Sequence, residues 1–186
     1  AAMAAIADRI KLTDGKKCLT LGIQKSVLIK IMATETERKF LVEGESYKAL
    51  AERRRHIEQF YLSARPEATV RVRIADGRAW LTVKGLTRGC SRAEYEYEVP
   101  VADAEGMRVM AEGRVVEKTR WVVPAGDSLK WEVDEFHGAL AGLTVAEIEV
   151  PEENTVFERP EFVGREVTGD ARYYNSSLAL DTDSPL

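Results

Sequence analysis

Histidine and cysteine are both scarce in this chain, with two of each in 186 residues. Cys18 and Cys90 are too few for a disulfide scaffold and fit no zinc spacing, so both are read as free, reduced thiols. His56 and His137 cannot build a histidine-rich zinc or iron site and are read as surface or turn residues. A catalytic metal would therefore rest on carboxylate oxygens, which favours magnesium or manganese. Apolar runs are short: none reaches the roughly 18 residues of a membrane span. The first residues mix alanines with charges instead of forming the apolar stretch of a signal peptide. The expected setting is cytoplasmic, with no membrane partner. Charge is unevenly spread along the chain. Net charge is −4, and residues 1–31 hold six Lys or Arg against two Asp, which leaves −8 for the remainder. So acidic a domain is not expected to bind nucleic acid.

The chain changes character at Met32. Residues 1–31 show little period, whereas short alternating runs follow one another from Ala33 onward. Met32 resembles a natural start, so 1–31 is read as an N-terminal extension, vector-derived or upstream-translated, and 32–186 as the domain. Strands are expected at 34–42, 58–62, 69–74, 78–84, 92–99, 115–123, 129–136 and 143–150. Asp76-Gly77 marks a tight hairpin. Helices are expected at 47–55, at 102–111 with Met107 and Met110 buried, and at 152–157. A C-terminal helix, 171–180, follows Asp170 as its N-cap. The basic run Arg53-Arg54-Arg55 is read as a solvated helix end. About eight mostly antiparallel strands with interspersed helices make the class α+β, mainly β, as a barrel or a sandwich.

The charges carry more information than the strands. Side chains alternate between the two faces of a strand. Glu35, Glu37 and Lys39 therefore share a face, as do Arg71 with Arg73, Thr82 with Lys84, Glu94 with Glu96, Lys118 with Arg120, Glu132 with Asp134, and Glu147 with Glu149. An ordinary amphipathic sheet would turn such faces to water. Here, however, most strands double a single sign. Like charges two residues apart along a strand lie about 7 Å from each other. They repel by roughly 2 kcal/mol at an effective dielectric of about 20. Inside a barrel that repulsion needs counter-ions: divalent cations for the carboxylates, and phosphate or carboxylate oxygens for the cations. A barrel of about eight strands is wide enough for one small ligand, and a linear polyphosphate with its metal ions meets both needs. Lys39 and Lys84, among other cations, are candidates for depressed pKa values. Arg172 opens the C-terminal helix, where a cation is unfavourable to the helix dipole, so it is a candidate ligand contact.

The run Glu35-Thr36-Glu37-Arg38-Lys39 resembles the ExExK motif that opens the CYTH domain, or triphosphate tunnel metalloenzyme, superfamily. Arg71 with Arg73, Lys84, Ser91-Arg92-Ala93-Glu94-Tyr95-Glu96, Glu117-Lys118-Thr119-Arg120, Glu132-Val133-Asp134, Glu147-Ile148-Glu149 and Arg172-Tyr173-Tyr174-Asn175 follow in the family's order. The resemblance extends over most of residues 33–180, and it is to the short, single-domain bacterial members, several of which are inorganic triphosphatases. It implies a closed eight-stranded antiparallel β-barrel, a tunnel, with peripheral helices and a C-terminal helix. It implies Mg²⁺ or Mn²⁺ on Glu35, Glu37, Glu147 and Glu149. Glu94, Glu96, Glu132 and Asp134 would bind a second metal or position water. Lys39, Arg71, Arg73, Lys84, Lys118 and Arg120, with Arg92 and Arg172, would hold phosphate. Glu35, Glu37, Lys39, Lys84, Glu132 and Asp134 form the expected catalytic set. Tyr174 departs from the Lys or Arg of related proteins. The expected reaction is hydrolysis of inorganic triphosphate to pyrophosphate and phosphate by a monomer or homodimer. Alternatives on the same fold are thiamine triphosphatase, nucleoside triphosphatase and class IV adenylate cyclase. A non-catalytic polyphosphate-binding barrel is the alternative of another class.

Overall fold

The structure is a computed structural model that describes residues 33–126 and 128–180. The reading of 1–31 as an extension, Cys18 and the tail 181–186 lie outside the described residues. Nine strands form one antiparallel sheet: β1 (Ala33–Val42), β2 (Arg53–Ser63), β3 (Ala68–Ala75), β4 (Arg78–Gly85), β5 (Ser91–Val99), β6 (Glu112–Pro124), β7 (Lys130–Phe136), β8 (Thr144–Glu149) and β9 (Val163–Glu166). Their order is β5-β4-β3-β2-β6-β7-β8-β1-β9, with a further pairing of β5 to β1. That last pairing closes eight strands into a barrel. β1 divides its length to achieve it. Ala33–Thr36 pair with β5, and Glu37–Leu41 pair with β8. β9 lies outside the ring, against the far end of β1. It was not expected from the sequence, because four residues are too few to show a period. Arg38, which points away from Glu37 and Lys39, anchors it with a forked pair of bonds to Glu166 at 2.6 and 2.7 Å.

The apolar faces point outward and are covered there. Phe40, Trp131, Val133, Ala146 and Ile148 form an outer wall. It is sealed by Tyr47 of the short helix α1 (Tyr47–Leu50) and by Phe157 and Phe162. Phe157 stands edge-on to Trp131 at 5.5 Å. On the other side, α2 (Val101–Met107) packs Ala104 and Met107 against Phe60, Val72 and Ala79. A third cluster closes one end of the interior. Val116, Phe136 and Val145 meet Leu178 and Ala179 of α3 (Asn175–Leu180) there.

Several expected elements differ. Arg53–Arg55 are not a helix end; they open β2 and pair with Arg120–Val122 of β6. Sheet pairing along the whole strand outweighs local helix propensity. The helix expected to Ala111 ends at Met107 and tightens into a 3₁₀ turn, so Met107 packs inward but Met110 is 58% exposed. Residues 152–157 form a turn, Thr155 N–H donating to the Glu152 carbonyl, because Phe157 must reach the outer wall. The C-terminal helix is broken: Asp170 caps a 3₁₀ turn at Ala171–Tyr173, Tyr174 is extended, and α3 begins only at Asn175. The hairpin at Asp76-Gly77 is as expected, both residues having positive φ (52° and 72°).

Gly113, at φ +75°, lets the start of β6 touch the end of α3. A Cβ there would fall on the Ala179 carbonyl oxygen and 2.9 Å from its carbon. Gly113→Ala should therefore destabilise the fold by about 2 to 4 kcal/mol. Gly126→Ala, with the same sign of φ but open space around it, should lose only about 1 kcal/mol. Urea denaturation of the two variants measures the difference, and equal losses would contradict the close approach.

Candidate active site

The inward faces enclose a cavity of about 350 Å³. Its wall is divided by sign. The contiguous strands β8, β1 and β5 contribute Glu147, Glu149, Glu35, Glu37 and Glu94. The contiguous strands β4, β3, β2 and β6 contribute Lys84, Arg71, Arg73, Arg55 and Arg120. Glu96 of β5 joins the acidic side, Lys39 and Arg92 cross the division, and Lys130 and Glu132 of β7 lie between the two sides. The division follows from register. Lys39 stands opposite Glu147, Glu132 opposite Glu147, Glu35 opposite Arg92, and Lys84 opposite Glu94.

Three ion networks organise these groups. Lys84 holds Glu35 at 2.8 Å and Glu94 at 3.4 Å, with Arg92 on Glu35 at 3.1 Å. Arg73 and Arg71 share Glu96 at 2.9 and 3.6 Å. Lys39 bonds Glu147 closely and lies 3.4 Å from Glu37, while Arg120 reaches Glu147 at 3.0 Å and bonds Glu132. Cations remain in excess of acceptors on the basic side. The Nε–H groups of Arg55, Arg71 and Arg73 are buried with no acceptor among the described residues. A buried donor left without a partner costs about 1 to 3 kcal/mol, so three on neighbouring strands mark a place for acceptor oxygens.

The structure brings together every expected site residue except three. Glu35, Glu37, Lys39, Arg71, Arg73, Lys84, Arg92, Glu94, Glu96, Arg120, Glu132, Glu147 and Glu149 all line the cavity. Lys118 and Asp134 do not: both are fully buried on the inward face beyond the lining and bonded to each other at 2.5 Å. Arg172 lies outside the lining too, 54% exposed, its guanidinium folded back on Asp170. Arg55 is a cavity residue that the sequence reading missed. Extending the strand three residues upstream would have found it, since Arg55, Ile57 and Gln59 alternate inward. Tyr61, Lys130, Tyr174 and Asn175 also line the cavity, and no doubled charge announces them. His56 is exposed as expected and stacks on His137, 6.2 Å away, on the outside of the barrel.

Residues 33–179 match the family model described as the CYTH domain. The chain belongs to the CYTH domain family. This CYTH chain is similar to an inorganic triphosphatase of Acetivibrio thermocellus, 47% identical over 148 residues that cover 79% of this chain and 94% of that one. An inorganic triphosphatase of Nitrosomonas europaea is 36% identical over 154 residues, covering 79% and 97% of the two chains. A crystal structure of an inorganic triphosphatase, 35% identical, matches with a TM-score of 0.56 over 80% of this chain and 96% of its own.

Electrostatics distinguish the carboxylates of this CYTH barrel. Burial would raise Glu35, but Lys84 and Arg92 outweigh it and hold the group far below its usual range. Burial would likewise raise Glu147, and Lys39 and Arg120 hold it well below. Glu37 goes the other way. Burial first, then repulsion from Glu147 and Glu35, pushes it up to about 7 despite Lys39. Directly across the β1–β8 pair stands another carboxylate, Glu149. Burial also raises Glu94. Lys39 is held above its ordinary value, because Glu147 and Glu37 overcome the effect of burial. That is the reverse of the depressed value expected for it.

Glu37 links pH to stability. Unfolded, it ionises near 4.5, and in the barrel at about 7. Between these values the folded chain keeps a proton that the unfolded chain has lost, so this group lowers stability as pH rises, reaching its full effect above 7. In chelator, Glu37→Gln should raise Tm at pH 8 but not at pH 4. Thermal melts at the two pH values check this, and an equal gain at both would remove the assignment.

Proposed function

We propose that this barrel hydrolyses inorganic triphosphate to pyrophosphate and phosphate, with Mg²⁺ or Mn²⁺. The carrying observation is the division of the wall, with carboxylates on one side facing arginines whose buried Nε–H groups lack acceptors among the described residues on the other. A triphosphate chelating a divalent cation has the same division. The names of the relatives support the substrate, since two CYTH proteins at 47% and 36% identity are inorganic triphosphatases.

The donor set suits a hard cation. The cavity carboxylates offer only oxygen, and facing like charges at Glu37 and Glu149 are destabilising unless a cation lies between them. Among the described residues no three acidic, thiol or imidazole groups close on one point. The carboxylates are instead engaged by Lys39, Lys84 and Arg120. Glu35, Glu37, Glu147 and Glu149 would hold the metal, with Glu94, Glu96 and Glu132 near the second part of the chain. A bound divalent ion polarises phosphoryl oxygens and lowers the pKa of water. Arg55, Arg71, Arg73, Lys84 and Arg120 hold the triphosphate extended and neutralise the charge that develops on its oxygens. Lys39 and Arg92, among the acidic strands, fix the reacting end. Water attacks the terminal phosphorus, the bridging P–O bond breaks, and pyrophosphate departs while the water's proton goes to solvent. Positioning and charge supply most of what phosphoryl transfer needs. The setting proposed is cytoplasmic, which suits Cys90, a free thiol lining the cavity. No helix among the described residues is long and apolar enough to cross a membrane.

Phosphate release from tripolyphosphate, ATP and thiamine triphosphate, with Mg²⁺, Mn²⁺ or chelator, tests the reading. Metal-dependent turnover should be strongest on tripolyphosphate. Arg73→Ala and Glu37→Gln should each lower kcat/KM by about 100-fold or more while remaining folded by circular dichroism. Preference for an organic triphosphate, or cyclisation of ATP, would move the substrate to one of the alternatives on this fold. Tight binding without turnover would leave a polyphosphate-binding barrel.

A further inference from the structure

Lys118 and Asp134 carry charge inside the barrel, beyond the lining of the cavity. Asp134 has no exposed surface and Lys118 almost none. Isolated charges are not buried this deeply without partners, and theirs are specific. Asp134 accepts from Arg120 through both carboxylate oxygens, Nε to Oδ1 and Nη2 to Oδ2, each at 2.6 Å. Lys118 Nζ donates to Oδ2 at 2.5 Å and to Asn175 Oδ1 at 3.1 Å. Two directly paired strand positions set this up, since Arg120 stands opposite Asp134 on β6 and β7.

The fork grips one edge of the Arg120 guanidinium. The same group also touches Glu132 and Glu147, both in the cavity wall. Without the fork, the cavity carboxylates would compete for a long, flexible side chain and draw it out of position. With it, the guanidinium has one orientation, because a planar donor fork matched to a carboxylate loses little freedom in binding. Lys118 balances the second oxygen, so the group of three leaves one net positive charge, and Arg120 is its member in the cavity. Asn175 adds a tie to α3, and it lines the cavity itself.

We infer that Asp134 and Lys118 are positioning residues that act on the reaction through Arg120, with Asn175 fastening them to the C-terminal helix. The roles that the sequence suggested for them, metal ligand and phosphate ligand, pass to residues of the cavity wall. This rests on the proposed role of Arg120 in holding the triphosphate.

A double-mutant cycle tests it with tripolyphosphate. Arg120→Ala should lower kcat/KM by about 100-fold or more and Asp134→Asn by about 30-fold. The double variant should lie within about threefold of Arg120→Ala, because a residue acting through another has nothing left to act on. The half-saturating Mg²⁺ concentration of Asp134→Asn should stay within about twofold of the parent. Multiplicative losses, or a Mg²⁺ requirement raised about tenfold, would overturn the inference and return Asp134 to the metal. Calorimetric binding of tripolyphosphate in chelator gives a second cycle that needs no turnover. If the parent releases no phosphate, the proposed reaction fails, while non-additive binding still supports the positioning role and additive binding ends it. Should Asp134→Asn fail to fold, Asn175→Ala takes its place. A loss of about threefold that vanishes in the Arg120→Ala background supports the relay, and an unchanged or additive effect overturns it.

Discussion

Everything in this molecule depends on how β1 divides its hydrogen bonds. Its first four residues pair with β5 and the next five with β8. Neither partner could close the ring alone. An open sheet with these inward faces would expose its glutamates and arginines to water, where their mutual repulsion is screened. Closure takes them out of bulk solvent and forces them to neutralise one another. The alternation of Glu35, Glu37 and Lys39 along that strand is therefore both a structural joint and the acidic side of the cavity.

From that constraint the division of charge follows. Strands adjacent to the joint bring carboxylates, and strands on the far side bring arginines. The two sets interlock through Lys39, Lys84 and Arg120, each placed within reach of two or more carboxylates. The match is incomplete in two places. Glu37 is raised by burial and by its acidic neighbours, and three arginines keep buried donors without acceptors among the described residues. One shortage is of positive charge and the other of oxygen, and a metal-chelating phosphate chain supplies both.

Much of this was legible in the sequence because doubled charges at alternate positions survive any small error in strand boundaries. Glu147 and Glu149 share a face whether β8 starts at residue 143 or 144. What failed was whatever depended on where an element ends. Arg55 was lost to the cavity because its basic run looks helical in isolation, and only pairing with β6 shows otherwise. The C-terminal helix was drawn too long because Tyr174 carries no breaker signal, although its backbone is extended. Depth was invisible as well. Lys118 and Arg120 share a face by alternation, yet one is buried beyond the lining and the other is in the cavity. The apolar end formed by Val116, Phe136 and α3 decides which. Alternation gives the side of a sheet, and only the filled volume gives the layer.

Two of the three apolar clusters lie outside the ring, under α1, α2 and the segment that carries Phe157 and Phe162. In most small β-proteins the residues that stabilise the fold and those that could bind a ligand compete for the same interior. Around the cavity they are on opposite faces of the same strands, at alternate positions of one chain, and only the end filled by Val116, Phe136 and Val145 combines the two. Inward substitutions around the cavity can accumulate without eroding the outer packing that holds the barrel, and outward ones without touching the chemistry. A fold arranged in this way can change what it binds in single steps, each of them viable, so its sequence is unusually free to diversify around one architecture.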